Sequence, residues 1–393
     1  MKEIYLDNSA TTRPDEQVAE LVKNVMLDGF GNPSSLHQKG IEAEDYLRKA
    51  TKSLASVMKV EEKTIYYTSG GTESDNWAVF HAAGLCKRGC RRLITTQIEH
   101  PAILEPMKEL EKQEYEVVYL PVDERGIVRL DALQEALETE AALVSVMMVN
   151  NEVGSIQPIR QIHEILKQNA PRTLLHVDAV QGFGKLWLYP ERLGIDLLSV
   201  SGHKLHGPKG IGLLYASERS RLRPMIYGGG QQKNMRSGTE NVPGIAGLAK
   251  AAELAYANLE EDTDRLYALK DGFATELLKL PDVILNGPIA DGDTKKEDRV
   301  DAPHIVNASF LGIRSEVLLH ALEEKGIYVS SGSACSSHKK TKSGTLQAMG
   351  LLAERTESAL RFSFSVHTTK QELDRTLEEL AALLPMLRRF QRR

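Results

Sequence analysis

The sequence predicts an α/β protein with a mostly parallel central sheet in a large domain and a smaller α+β domain beside it. Three observations carry this. Between residues 64 and 216, short apolar runs alternate with segments of helical apolar spacing, the pattern of strand–helix–strand units. The run 143–149 is apolar at nearly every position, as a strand covered on both faces must be. After Pro243 the alternation gives way to one long helical stretch, and then to strands of a different rhythm.

Taken in order, residues 15–28 carry helical spacing at Val18, Leu21, Val22 and Val25, and Gly29-Phe30-Gly31-Asn32-Pro33-Ser34-Ser35 breaks that helix. Residues 41–58 read as a second helix and 64–68 as a short strand. The alternation follows: strand 93–96, helix 102–113, strand 116–120, helix 130–137, strand 143–149, helix 158–168, then strands 174–177, 197–200 and 212–216. Residues 245–280 read as one long helix. Strands at 305–310, 328–330 and 360–363, with a closing helix at 370–389, make the smaller unit. The charged stretch 291–301 reads as a surface insertion. The predicted large domain is 15–255; residues 1–14 and 256–393 form the small one.

Composition narrows the function. A chain of 393 residues exceeds one simple core. A net charge of -5 argues against a dedicated nucleic-acid or anionic-membrane binder. No apolar run approaches the roughly 20 residues of a membrane span, and the N-terminus carries no signal-like stretch. Three cysteines do not make a disulfide framework, so a cytoplasmic location is expected. Cys86 and Cys90, four apart on a predicted helix before Arg91-Arg92, lack the further ligands of a tetrahedral metal shell, and no metal is expected.

The chemistry lies in a few segments. Lys204, in Ser201-Gly202-His203-Lys204, follows strand 197–200, which delivers it to the carboxyl edge of the sheet, where open α/β sheets bind ligands. Lys209 competes, but its Gly-Pro and Gly neighbours mark a turn. Asp178 ends an apolar run, where a carboxylate is costly unless paired. A Schiff-base lysine and a carboxylate that keeps a pyridinium nitrogen charged are the two groups that pyridoxal phosphate needs most. Gly70-Gly71-Thr72 at a strand-to-helix turn suits a phosphate. Ser201 and His203 are placed to touch it, and Gln181 to donate to the cofactor's phenolate oxygen. His100 and Asn150 each follow a strand, toward the same sheet edge. Cys335, in Ser331-Gly332-Ser333-Ala334-Cys335-Ser336-Ser337, is a thiol with little apolar anchorage.

These segments resemble the cysteine desulfurases of the NifS/IscS-like type, class-V aminotransferase relatives and fold-type I pyridoxal-phosphate enzymes. The resemblance rests on Asp7-Asn8-Ser9-Ala10-Thr11-Thr12, Gly31-Asn32-Pro33-Ser34-Ser35, Gly71-Thr72-Glu73-Ser74, Glu99-His100 and Asn150-Asn151-Glu152-Val153-Gly154. It continues through His176-Val177-Asp178, the Lys204 segment, Arg236-Ser237-Gly238-Thr239-Glu240-Asn241 and the Cys335 segment, in the family's order over nearly the whole chain.

The resemblance implies a Schiff base at Lys204, with Asp178, Gln181 and His100 around the ring, and Gly71, Thr72, Ser201 and His203 at the phosphate. Arg361 would clamp the substrate carboxylate, with Asn150 assisting near the ring. Thr239 would reach the neighbouring site of a homodimer. L-cysteine would yield L-alanine, its sulfur passing to Cys335 as a persulfide and then to an iron–sulfur scaffold or a tRNA-thiolating enzyme. A selenocysteine lyase, another enzyme of the same fold and a non-catalytic sulfur-relay scaffold are the alternatives. Two stretches depart from the family. Ser363-Phe364-Ser365-Val366-His367 stands where a Ser-Leu-Gly-Arg-like stretch is usual, and the basic run His338-Lys339-Lys340-Thr341-Lys342 follows Cys335.

Overall fold

A computed structural model describes residues 3–86, 91–290, 294–331 and 343–391. In chain order its strands are β1 (Ile4–Tyr5), β2 (Ile65–Thr68), β3 (Arg92–Thr96), β4 (Glu116–Leu120), β5 (Leu143–Met147), β6 (Leu174–Asp178) and β7 (Leu197–Ser201). They continue with β8 (Gly212–Ala216), β9 (Val283–Asn286), β10 (Ile305–Phe310), β11 (Ile327–Tyr328), β12 (Ser330–Ser331) and β13 (Ala359–Ser363).

Seven strands form the main sheet in the order β2-β8-β7-β6-β5-β3-β4. All neighbours are parallel except β8, which runs antiparallel to both β7 and β2. Successive residues feed opposite faces. Ile94, Val144, Leu198 and Leu213 pack into one apolar cluster with Leu54, Ile162 and Leu248 from the helices. Leu93, Leu143, Leu197 and Leu214 join Trp77 and Met107 on the other face. That two-sided burial is why these strands read as continuous apolar runs rather than alternating ones.

A second sheet, antiparallel and ordered β12-β13-β10-β9, packs its own cluster of Phe273, Phe310, Phe362 and Phe364. The N-terminal segment ties the two sheets together. Strand β1 pairs with β11, Asp7 bridges Ser363, and the Thr12 amide then donates to the His203 carbonyl beside Lys204.

Three expectations are corrected. The stretch 245–280 is two helices, Val242–Ala257 and Leu259–Leu277, because Asn258 leaves helical geometry at φ -125, ψ 26. The predicted strand 328–330 divides at Val329, so Tyr328 joins β1 while Ser330 joins β13. The 291–301 stretch is not all surface: Asp301 is buried, in ion pairs with Lys270 and Arg299, and its peptide carbonyl accepts from Tyr267. The helix before Arg91 ends at Leu85 with Cys86 as its cap, and Cys90 lies outside the described residues. No helix among the described residues is long and apolar enough to cross a membrane.

Candidate active site

The parallel strands of the main sheet and β2 point their carboxyl ends the same way, and the site stands on that edge. A cavity of about 290 Å³ is lined there by Gly71, Thr72, His100, Asp178, Gln181, Ser201, His203, Lys204 and Arg361. Nine residues drawn from separate stretches of sequence therefore meet around one space. Ser9, Ala10, Asp75, Met147, Asn151 and Val180 complete the wall.

Gly70 ends the turn after β2 at φ 154, ψ -174, a conformation open in practice only to glycine. It caps the helix Gly71–Leu85 without a side-chain bond, so the first-turn N–H groups remain available. A Cβ at Gly71 would lie 2.7 Å from Val180 Cγ2, so the backbone is packed too closely there for any side chain. Ser201 and His203 stand across this turn, at the end of β7. Burial, then the neighbouring Lys204, holds the His203 imidazole down to about 4, so the ring is neutral.

Asp178 is the last residue of β6 and is buried. Oδ1 accepts the Val180 amide at 2.9 Å. Burial raises its carboxyl above the ordinary range, opposed by that amide and by the proximity of His100 and Lys204. Lys204 Nζ donates to the carbonyls of Ser9 at 2.5 Å and Ala10 at 2.9 Å, so the ammonium is held at the mouth of the cavity by the N-terminal segment.

His100 caps the helix Pro101–Lys112. Its Nδ1 accepts the Ala102 amide at 3.1 Å. Burial, more than nearby Lys204, lowers its pKa while Asp178 opposes the shift. A neutral ring with Nδ1 accepting carries its proton on Nε2.

Arg361 projects from β13. Nη1 donates to the Asn151 carbonyl at 2.8 Å and Nη2 to Asp7 Oδ1 at 2.6 Å. Its Nε is buried with no hydrogen-bond partner. A guanidinium so anchored on one side, with Nε unpaired, has the fork geometry that suits a carboxylate.

Behind Asp178 lies a buried polar layer that sequence reading passed over. His176 links Ser145 Oγ at 2.9 Å and Ser199 Oγ at 3.0 Å, and burial drives its pKa down to about 3. Its 3.6 Å approach to Asp75 is therefore not an ion pair. Asp75 is itself raised well above the carboxylate range by burial and by Asp178. Glu99 is pushed up to about 8, chiefly by burial, although Oε1 accepts from Thr96 Oγ1 at 2.6 Å and the Met147 amide at 2.9 Å. The one sequence signal for Asp75 was its place one turn into the helix that opens at Gly71.

Two predicted residues stand apart. Asn150 is fully buried and does not line the cavity. Its Oδ1 accepts the amides of Glu152 and Val153, and Nδ2 donates to Ile98 O, so it shapes the loop that presents Asn151. Thr239 is exposed and outside the cavity wall. It follows Arg236, which forks onto Glu73 at 2.9 and 3.1 Å. Cys335 lies outside the described residues.

The profile of the aminotransferase class-V family matches residues 4–376. The chain belongs to that family. It is similar to a cysteine desulfurase IscS of Methanosarcina thermophila, 42% identical over 387 residues, covering 98% of this chain and 93% of the relative. A second cysteine desulfurase IscS, of Dictyoglomus turgidum, is 40% identical over 388 residues, covering 98% of this chain and 96% of its own. A solved NifS-like protein superposes with TM-score 0.90 at 38% identity, covering 98% of this chain and all of that one.

As a member of the class-V family the chain is a pyridoxal-phosphate enzyme, and its residues fit that cofactor. Asp178 is a buried carboxylate that makes no salt bridge among the described residues, the contact a pyridinium would supply. Gln181 Oε1 and Ser9 Oγ are buried at the cavity without hydrogen-bond partners. The turn at Gly71 has no side-chain cap, so its first amides suit an anion.

Proposed function

We propose that this chain is a cysteine desulfurase: it cleaves the C–S bond of L-cysteine, releases L-alanine and passes the sulfur to Cys335 as a persulfide. The observation that carries this is the meeting of Lys204, Asp178, His100 and Arg361 around one cavity at the carboxyl edge of the sheet. The names of the relatives agree with it.

When bound, pyridoxal phosphate supplies an electron sink for the carbanion formed at the substrate Cα. The chain's own groups do the rest. Thr72, Ser201, His203 and the first amides of the Gly71 helix hold the phosphate, and Asp178 keeps the ring nitrogen charged. Gln181 donates at the ring oxygen through the second N–H of Nε2, whose first goes to the Ser9 carbonyl. Arg361 fixes the substrate carboxylate through Nε and Nη2, orienting the Cα–H bond toward Lys204. Lys204 Nζ carries that proton, and His100 Nε2–H serves the sulfur or ring side. The Cys335 thiolate forms an S–S bond to the substrate sulfur as the C–S bond breaks. The carbon keeps the bonding pair and takes up protons to become alanine.

In this reading residues 15–255 are the cofactor-holding unit, and 1–14 with 256–393 bring Arg361 and Cys335 to it. The enzyme acts in the cytoplasm as a homodimer in which Thr239 reaches the neighbouring site. An acceptor protein, an iron–sulfur scaffold or a tRNA-thiolating enzyme, takes the persulfide. The test is product analysis with L-cysteine. Alanine formed in step with persulfide supports desulfuration; a keto acid in its place identifies an aminotransferase.

A further inference from the structure

A second cavity, of about 160 Å³, lies on the other side of Lys204, which borders both spaces. Its wall is largely apolar, from Leu254, Leu259, Leu266 and Phe364. Phe364 and its neighbours to His367, on the wall, belong to the stretch that departs from the family's usual sequence.

Two groups do not suit an apolar void. Lys185 reaches in from the loop after β6 and donates one N–H, at 2.7 Å, to the Lys204 carbonyl. An ammonium has three N–H donors, and no carboxylate among the described residues pairs with this one. Burial lowers it to about 7. His304 also borders the cavity. It is 1% exposed, and neither ring nitrogen has a hydrogen-bond partner. Lys185 is half-buried with N–H donors left over, and His304 is a buried imidazole without partners; both are costly, and both costs fall if an anion accepts from them.

The other charged or titratable groups on the wall are Lys204, His206, His367, Asp15 and Asp262. His206 is occupied by the Arg13 carbonyl at 2.8 Å and packs edge-on against His367 at 5.0 Å. The two aspartates form no ion pair with Lys185.

We propose that this cavity is a binding site for a small aliphatic carboxylate, held by Lys185 and His304 with its hydrocarbon end against Leu254, Leu266 and Phe364. A dry cavity of comparable volume takes a ligand of about six heavy atoms, the size of butyrate. The site is distinct from the Arg361 clamp, and its occupancy does not depend on the reaction at Lys204.

Calorimetric titration of butyrate into the pyridoxal-phosphate-loaded enzyme tests it. The wild type and Arg361→Gln give saturable heat; Lys185→Met and the cavity-filling Ala255→Leu weaken it by about tenfold or more; butylamine, of equal size and opposite charge, gives none. Absence of saturable heat in the wild type overturns the proposal. So does equal binding of butylamine. Loss in Arg361→Gln with Lys185→Met unchanged assigns butyrate to the first cavity and overturns it as well.

Discussion

Asp7 holds Arg361: the guanidinium Nη2 lies 2.6 Å from the Asp7 carboxylate, while Nε is buried without a hydrogen-bond partner. The aspartate orients the fork and competes for its charge. Arg361→Lys loses the planar fork and should raise KM for L-cysteine on the order of ten- to a hundredfold. Asp7→Asn leaves the charge in place but loosens its aim. It should raise KM less, with kcat nearly intact, as steady-state kinetics will show.

Asp178→Asn keeps an oxygen for the Val180 amide but loses the charge that stabilises a protonated ring. Its kcat should fall on the order of a hundred- to a thousandfold, as for loss of one preorganised electrostatic group. The visible absorption of bound cofactor should persist. Lys204→Ala, by contrast, should lose that band.

His100 has two jobs that can be separated. Asparagine is a good helix cap and can still accept the Ala102 amide, but it carries no imidazole. His100→Asn should therefore leave the melting temperature nearly unchanged while kcat falls on the order of a hundredfold.

Glu99 supplies a pH-dependent prediction. Its carboxyl is raised in the folded protein, to about 8. A raised acid stabilises the fold below the unfolded-state pKa, and that contribution is lost as pH rises toward the folded value. The cofactor-free enzyme should thus lose stability from about pH 5 to pH 8, by an amount on the order of a few kcal/mol. Glu99→Gln, which keeps an oxygen for Thr96 and Met147, should flatten that loss. Denaturant melts at the two pH values measure it.

Much of this site was legible because its chemistry sits where strands end. The apolar run before Asp178 and the strand before Lys204 placed both at one sheet edge, and the glycines at 70 and 71 marked the turn between β2 and its helix. Local pattern could not report pairing. The antiparallel direction of β8, the division at Val329 and the break at Asn258 all come from tertiary packing. An amide that caps its own loop and one that lines a cavity look alike in sequence: Asn150 holds the amides of Glu152 and Val153, while Asn151 lines the cavity wall. Asp75 and His176 were missed for a related reason. They are buried polar groups satisfied, or left unsatisfied, only by residues distant in the chain.

The central claim is transfer of cysteine sulfur to Cys335. The most direct measurement follows alanine and protein-bound persulfide from L-cysteine in the pyridoxal-phosphate-loaded wild type and in Cys335→Ser. The account predicts alanine and persulfide together in the wild type, and almost none of either in the variant, whose cofactor spectrum still responds to cysteine. Equal alanine formation by both proteins would contradict it.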